Sequence, residues 1–155
     1  MEPGGGAENF DDAFDRLFTT AYRAAYRLLG SREDAEDIAI EALSRASLHW
    51  RKIRDQPAGW VTTVSVNLAL DVWRRRKRAP AAERVDHAEP DADRRIDLAR
   101  ALDRLPRRQR QTLVLRYFAD LSEAEAAAAM GVSVGTVKQH ASRGIAALRR
   151  ELGER

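Results

Sequence analysis

Along most of this chain apolar residues recur three and four positions apart, and no stretch alternates apolar and polar residues long enough to make a strand. The pattern predicts an all-α protein. A first helix is expected over Asp11–Leu29, with Phe14, Leu17, Phe18, Ala21, Ala25 and Leu28 facing inward and Gly30 ending it. Ser31, with Asp34 three residues on, reads as a capping box opening a second helix that continues to Trp50. Its stripe is Ala35, Ile38, Ala42, Ala46 and Trp50. A polar loop, Arg51 to Gln56, precedes Pro57, which suits the first turn of a third helix over Ala58–Lys77. Trp60, Val61, Val64, Leu68, Val72 and Trp73 are its expected inner residues.

Residues 79–95 hold two prolines, many charges and almost no large apolar group. Such a segment cannot bury enough surface to offset its ordering entropy, so a flexible acidic linker is expected there. The domains are then a flexible tail over residues 1–9, a helical domain over 10–78, the linker, and a second helical domain over 96–155. In the second domain Pro106 separates a helix ending at Leu105 from one over Arg107–Phe118.

The last stretch, Leu121 to Leu152, has the layout of a helix-turn-helix. Ser122 and Glu125 form a capping-box signature, the alanines of 124–129 favour helix, and Gly131 stands where that helix must stop. Ser133 is placed to cap the next helix, whose inward stripe is Val134, Val137, Ala141, Ile145, Leu148 and Leu152. Thr136, Lys138, Gln139, Ser142 and Arg143 fall elsewhere on it. Their side chains can donate to phosphates or base edges, and Gln and Arg have the fork geometry for adenine and guanine. Two antiparallel helices with a solvated polar face would show the same stripe; the neighbouring basic residues favour the nucleic-acid reading.

Composition sharpens this picture. The net charge of +3 over 155 residues conceals alternating blocks: −3 over 1–55, +4 over 56–80, −3 over 81–97 and +5 over 98–155. Two basic blocks around an acidic spacer point to two contacts with a polyanion. With no cysteine, the chain has no disulfide, thiolate metal site or cysteine nucleophile. No apolar run approaches membrane-spanning length and no signal peptide is evident, so a cytoplasmic protein without membrane insertion is expected. The three histidines, His49, His87 and His140, show no metal-site or triad spacing with carboxylates, so no catalytic residue, metal, cofactor or small-molecule substrate is expected.

Two further features carry candidate chemistry. Arg74, Arg75, Arg76, Lys77 and Arg78 close the third helix, where cations also suit the helix dipole. Asn67 and Asp71, one turn apart ahead of that run, could offer polar groups to an unpaired base while the cations hold its backbone. In the second helix Asp34, Asp37 and Glu41 share an outer side, and Ile40 departs from the inward stripe to sit among carboxylates. An apolar residue ringed by charge suits protein docking, although a single exposed Ile is also ordinary.

Three stretches, in this order, resemble the extracytoplasmic-function sigma factors, bacterial transcription initiation factors of the sigma-70 superfamily: Leu28 to Leu43, Pro57 to Arg78 and Leu98 to Leu152. The segment from Ser133 to Arg149 is most similar to the actinobacterial branch. The resemblance implies an alternative sigma factor that binds core RNA polymerase and directs promoter recognition and melting. Asp34, Asp37 and Glu41, with Ile40 beside them, would grip a coiled coil of the polymerase. Asn67 and its neighbours, with the loop Arg51 to Gln56, would accept a flipped base, and Arg74, Arg75, Arg76 and Arg78 would hold nearby phosphates. Thr136, Lys138, Gln139 and Arg143 would enter the major groove of a second promoter element, and the acidic linker would thread the RNA exit path. An anti-sigma factor is the implied regulatory partner. Departures are the apolar Ile40 where the family commonly has Gln, small Ala126 where it has a larger aliphatic residue, which would loosen that helix pair, and His140 at a variable position. The competing reading is a two-domain helix-turn-helix regulator binding operator DNA as a dimer, which would need a ligand cavity within residues 10–78 and a dimer interface.

Overall fold

The computed structural model describes residues 7–79 and 91–153, and every regular element among them is helical. Asn9 opens α1 (Phe10–Leu29), its side chain accepting from the Asp12 amide at 2.8 Å. Gly30 closes α1 in the left-handed conformation, φ 63°, which only glycine adopts without cost. Ser31 then caps α2 (Arg32–Leu48) through the Asp34 amide. The two helices form a hairpin whose contact is largely alanine. Ala13, Ala21, Ala24 and Ala25 of α1 and Ala35, Ala39, Ala42 and Ala46 of α2 are all buried. Small side chains let two helix axes approach closely, and Leu17, Leu43 and Val61 fill the space beside them.

The expected second helix stops two residues early, at Leu48. A short helical turn, α3 (Trp50–Ile53), follows after His49 and buries Ile53, so the predicted polar loop shrinks to Arg54–Gln56. α4 (Pro57–Arg78) starts with proline at its first turn, as expected. Its buried face is Val61, Thr62, Ser65, Val66, Ala69 and Leu70. Val64, Leu68, Val72 and Trp73 are only half-buried. The Thr62 and Ser65 hydroxyls each donate at 2.7 Å to a carbonyl four residues back, so both polar groups are satisfied inside the core.

Residues 80–90, most of the expected linker, lie outside the described residues, as do 1–6 and 154–155. α5 (Ala92–Arg104) begins four residues before the expected Ile96. After Pro106, α6 (Arg107–Leu113) gives way to a π-helical turn, Val114–Phe118, where the sequence suggested unbroken α-helix. The wider turn releases carbonyls at its end. The Leu121 amide donates to Leu115 O at 3.0 Å, and the Arg116 guanidinium donates to Leu121 O. α7 (Glu123–Met130) carries the predicted capping box in full. The Ser122 side chain accepts from the Glu125 amide and Glu125 accepts from the Ser122 amide, both at 3.0 Å. Gly131, φ 68°, reverses the chain, and Ser133 caps α8 (Val134–Glu151). Ala126 is fully buried with Leu115, Leu121 and Val137, so the small residue there leaves a closed cluster rather than a loose pair.

The two helical units share a core. Leu28, Val66 and Leu70 of the first pack with Leu102, Leu105, Leu113 and Val114 of the second. Arg27 lies over the Phe118 ring at 5.1 Å, and a Cβ at Gly30 would meet the Arg95 guanidinium. The expectation of inward Phe14, Val134 and Leu152 fails. They are 40%, 40% and 38% exposed: Val134 and Leu152 stand at the two ends of α8, and Phe14 lies one turn into α1 against the rings of Phe10 and Phe18.

Candidate nucleic-acid interface

Burial of Val61, Val66, Ala69 and Leu70 fixes the rotation of α4 and leaves another stripe outward. Trp60, Thr63, Asn67, Asp71 and Arg74 recur at three- and four-residue spacing, so they lie on one face about 21 Å long at 1.5 Å per residue. Asn67 and Asp71 are exposed. The Trp60 ring, expected to be internal, is half-buried, its centroid 5.6 Å from that of His49. Trp60 and Thr63 line a cleft with Lys52, Asp55 and Gln56, opposite Gln111, Leu115 and Ala128 of the second unit. Asn67 lies two turns beyond Trp60 and does not line this cleft. The face therefore runs from an aromatic ring through amide and carboxylate to a guanidinium. The sequence reading missed Trp60 and Thr63; extending the Asn67–Asp71 spacing backwards would have found them.

The basic run divides. Arg74 is one-third exposed, donating from Nη1 to Asp71 at 2.8 Å and from Nε to Asp103 of α5 at 2.5 Å. Arg75 donates to the Asp71 carbonyl at 3.4 Å. Arg76 turns away to the Asp34 carboxylate on α2. Lys77 stacks over Trp73 at 5.2 Å, and Arg78 is exposed. Arg110 of α6 sits beside Arg74 and Asp103. Burial, followed by the Arg74 charge, lowers the Arg110 pKa from its ordinary value.

α8 presents the other candidate surface. Val137 and Gly144 are buried; Gly144 packs so closely on Leu113 that a Cβ there would come within 3.1 Å of it. Lys138, Gln139, Ser142 and Arg143 are exposed on the opposite side. Thr136 is half-buried and its hydroxyl pairs with that of Ser133 at 2.9 Å, which ties it to the cap. His140 turns inward, its Nδ1 buried. Arg149 and Arg150, exposed in the last turn, extend the basic surface beyond the residues singled out from sequence, and Arg107 and Arg108 add exposed cations at the start of α6. On α2, Asp37 and Glu41 are exposed, Glu41 accepting from Arg45 at 2.9 Å, while Asp34 is half-buried. Ile40 is 60% exposed, and Leu48, unassigned in the sequence reading, is 81% exposed two turns along the same face.

The unit that carries the α4 face and the unit that carries the helix-turn-helix are each matched by a family model. One described as "Sigma-70 region 2" covers residues 13–79 and one described as "Sigma-70, region 4" covers residues 95–148. An RNA polymerase sigma-E factor from Streptomyces coelicolor is 36% identical over 84% of this chain and 78% of the relative. The chain belongs to the extracytoplasmic-function sigma factors. Further members include SigM of Mycobacterium tuberculosis, 39% identical over 91% of this chain and 78% of that protein, and SigE of Mycolicibacterium smegmatis, 37% identical over 91% and 60%. The fold is also similar to the sigma factor RpoE from Bartonella quintana, solved in complex with the anti-sigma factor NepR. That likeness has a TM-score of 0.57 at 22% identity, over 93% of this chain and 96% of that one. As a sigma factor the chain is a transcription initiation protein, and the operator-binding dimeric regulator is set aside. Among the described residues no helix is long and apolar enough to cross a membrane.

Proposed function

We propose that this sigma factor divides promoter recognition between its two helical units in the cytoplasm, as a partner of core RNA polymerase. The observation that carries the reading is that one chain holds both a ring-to-guanidinium stripe along α4 and an exposed polar, cationic outer face on a helix-turn-helix. On α4, Trp60 and Asn67 meet unpaired bases two helical turns apart, and Arg74, Arg75 and Arg78 hold phosphates, with Asp71 orienting Arg74; Arg76 joins them only on leaving Asp34. Base extrusion costs a few kcal/mol, which stacking on an aromatic ring and polar contacts offset. On α8, Lys138, Gln139, Ser142 and Arg143 read duplex, with Thr136 at the helix entry. The outer face of α2, Asp34, Asp37, Ile40 and Glu41, docks on the polymerase, and an anti-sigma factor is the regulatory partner. Two modest DNA contacts on one tether combine through effective concentration. No covalent step falls to this chain; RNA synthesis belongs to the polymerase.

In vitro transcription with core polymerase and a genomic template library tests the reading. Start sites that appear only with this chain, and are lost together when Gln139 and Arg143 are replaced by alanine, are the expected result. Transcripts identical to those of core polymerase alone would refute it.

A further inference from the structure

The face that the proposed function assigns to melted DNA is already occupied by the chain itself. Arg74 has two carboxylates on it, Asp71 from its own helix and Asp103 from α5. Both Arg74 and Asp103 are mostly withdrawn from solvent, with side chains 33% and 25% exposed. Arg110 lies beside this pair, donating to the Asp103 backbone carbonyl at 3.5 Å. Behind this ion pair runs the shared apolar seam of Val66 and Leu70 with Leu102, Leu113 and Val114. At the other end of the face, Gln56 donates to Glu125 at 3.4 Å, and Gln111 and Ala128 wall the cleft that holds Trp60. The second unit is thus seated over both ends of the α4 stripe, while the reading face of α8 stays open.

We propose that Asp103 is an internal surrogate for a promoter phosphate. It occupies Arg74 in the free protein and holds the second unit over the strand-binding face, so that melted DNA must displace it. A carboxylate presents the same paired oxygen acceptors to a guanidinium as a phosphate does, so the two compete for one site. Displacement then couples strand capture to separation of the two units, and the apparent strand affinity is reduced by the fraction of molecules that are closed. The inference rests on the reading of Arg74 as a strand contact.

The test uses the full chain and a short fluorescein-labelled single-stranded oligodeoxynucleotide of mixed sequence, followed by anisotropy. Asp103→Asn keeps the shape of the side chain and removes its charge; it is expected to bind about fivefold more tightly than wild type, and Arg74→Ala more weakly. Unchanged affinity in Asp103→Asn beside weakened Arg74→Ala overturns the inference and leaves the Arg74 reading standing. Unchanged affinity in Arg74→Ala removes that reading, and the inference with it. A second measurement requires no change at the ion pair. The chain has no cysteine, so Thr19→Cys and Ala146→Cys take spin labels at exposed positions, one on each unit. Added oligonucleotide is expected to lengthen the distance between them; a distance distribution that does not respond to saturating oligonucleotide overturns the proposal.

Discussion

Arg76, in the basic run of α4, donates its guanidinium to the carboxylate of Asp34 in the first turn of α2. A residue assigned to DNA and one assigned to polymerase are therefore each other's partners, and the two surfaces meet at this pair. Asp34 is the more buried of the two, its side chain 22% exposed against 45% for Arg76. Asp34→Asn is expected to lower unfolding free energy by no more than about 1 kcal/mol, the range for half-exposed pairs, as measured by urea denaturation. A loss well above that would mean that the pair also holds α4 against α2.

Asp37 lies one turn on, exposed beside Ile40. Asp37→Lys is expected to abolish co-purification with core polymerase while leaving the helical circular dichroism spectrum unchanged. Retained co-purification would move the docking surface elsewhere, with the exposed Leu48 as the next residue to replace.

Gln139 and Arg143 stand one turn apart on the open face of α8. Replacing either by alanine is expected to cost about 1–3 kcal/mol of binding to the cognate duplex and to relax specificity at one base position. Arg149→Ala is expected to behave differently. It should weaken binding to all duplexes alike and reduce the slope of log affinity against log salt by about 1, the mark of a phosphate contact. Fluorescence anisotropy across a salt series separates the two behaviours.

The capping box of α7 has a pH signature. Hydrogen bonds from the Ser122 amide, then from its hydroxyl, lower the Glu125 pKa from its ordinary value, with a further contribution from the Gln56 amide. A carboxyl group depressed in the folded state stabilises the fold fully above its unfolded pKa, and that contribution is lost as pH falls through the lower folded value. NMR titration should therefore find Glu125 ionising below ordinary glutamates, and Ser122→Ala should return it towards them. The same substitution is expected to cost about 0.5–2 kcal/mol of stability, as an N-cap loss.

At Gly59 the two units touch. A Cβ there would lie 3.1 Å from Leu121 Cδ1 and 3.3 Å from Leu115 Cδ2. Gly59→Leu is expected to wedge the units apart, raising the radius of gyration in small-angle X-ray scattering while each helical unit stays folded. Gly59→Ala needs only a small shift of two flexible leucine ends and should leave the radius unchanged.

Much of this was legible in the sequence, and the exceptions share a cause. Helix ends marked by a local chemical necessity were readable: Gly30 and Gly131 both take left-handed backbone, and Ser31, Ser122 and Ser133 all cap helices, whereas the Asn9 cap fell in the stretch read as a tail. The buried face of α4 was misread. A helix covered on one side shows a single stripe, but α4 is covered by α1 and α2 on one flank and by the second unit on another. Val66 and Leu70 are buried by residues more than thirty positions away, such as Leu102 and Leu113. The π-turn at Val114–Phe118 leaves no mark on apolar spacing. Of the candidate site, the α8 face was readable from spacing and side-chain type. The pairing of Arg74 with Asp103 and of Arg76 with Asp34 was not, since it depends on which helices become neighbours.

The alanine-on-alanine contact between α1 and α2 makes the first unit unequal in its tolerance of change. Each of those methyl groups contributes little area, so trimming one removes little and leaves almost no void. Adding atoms is another matter, because two backbones already that near cannot part locally, and one added branch would have to lever the whole hairpin open. Random variants of this unit should therefore survive shrinkage along the hairpin seam and fail on growth, the reverse of what a leucine-rich interior would show.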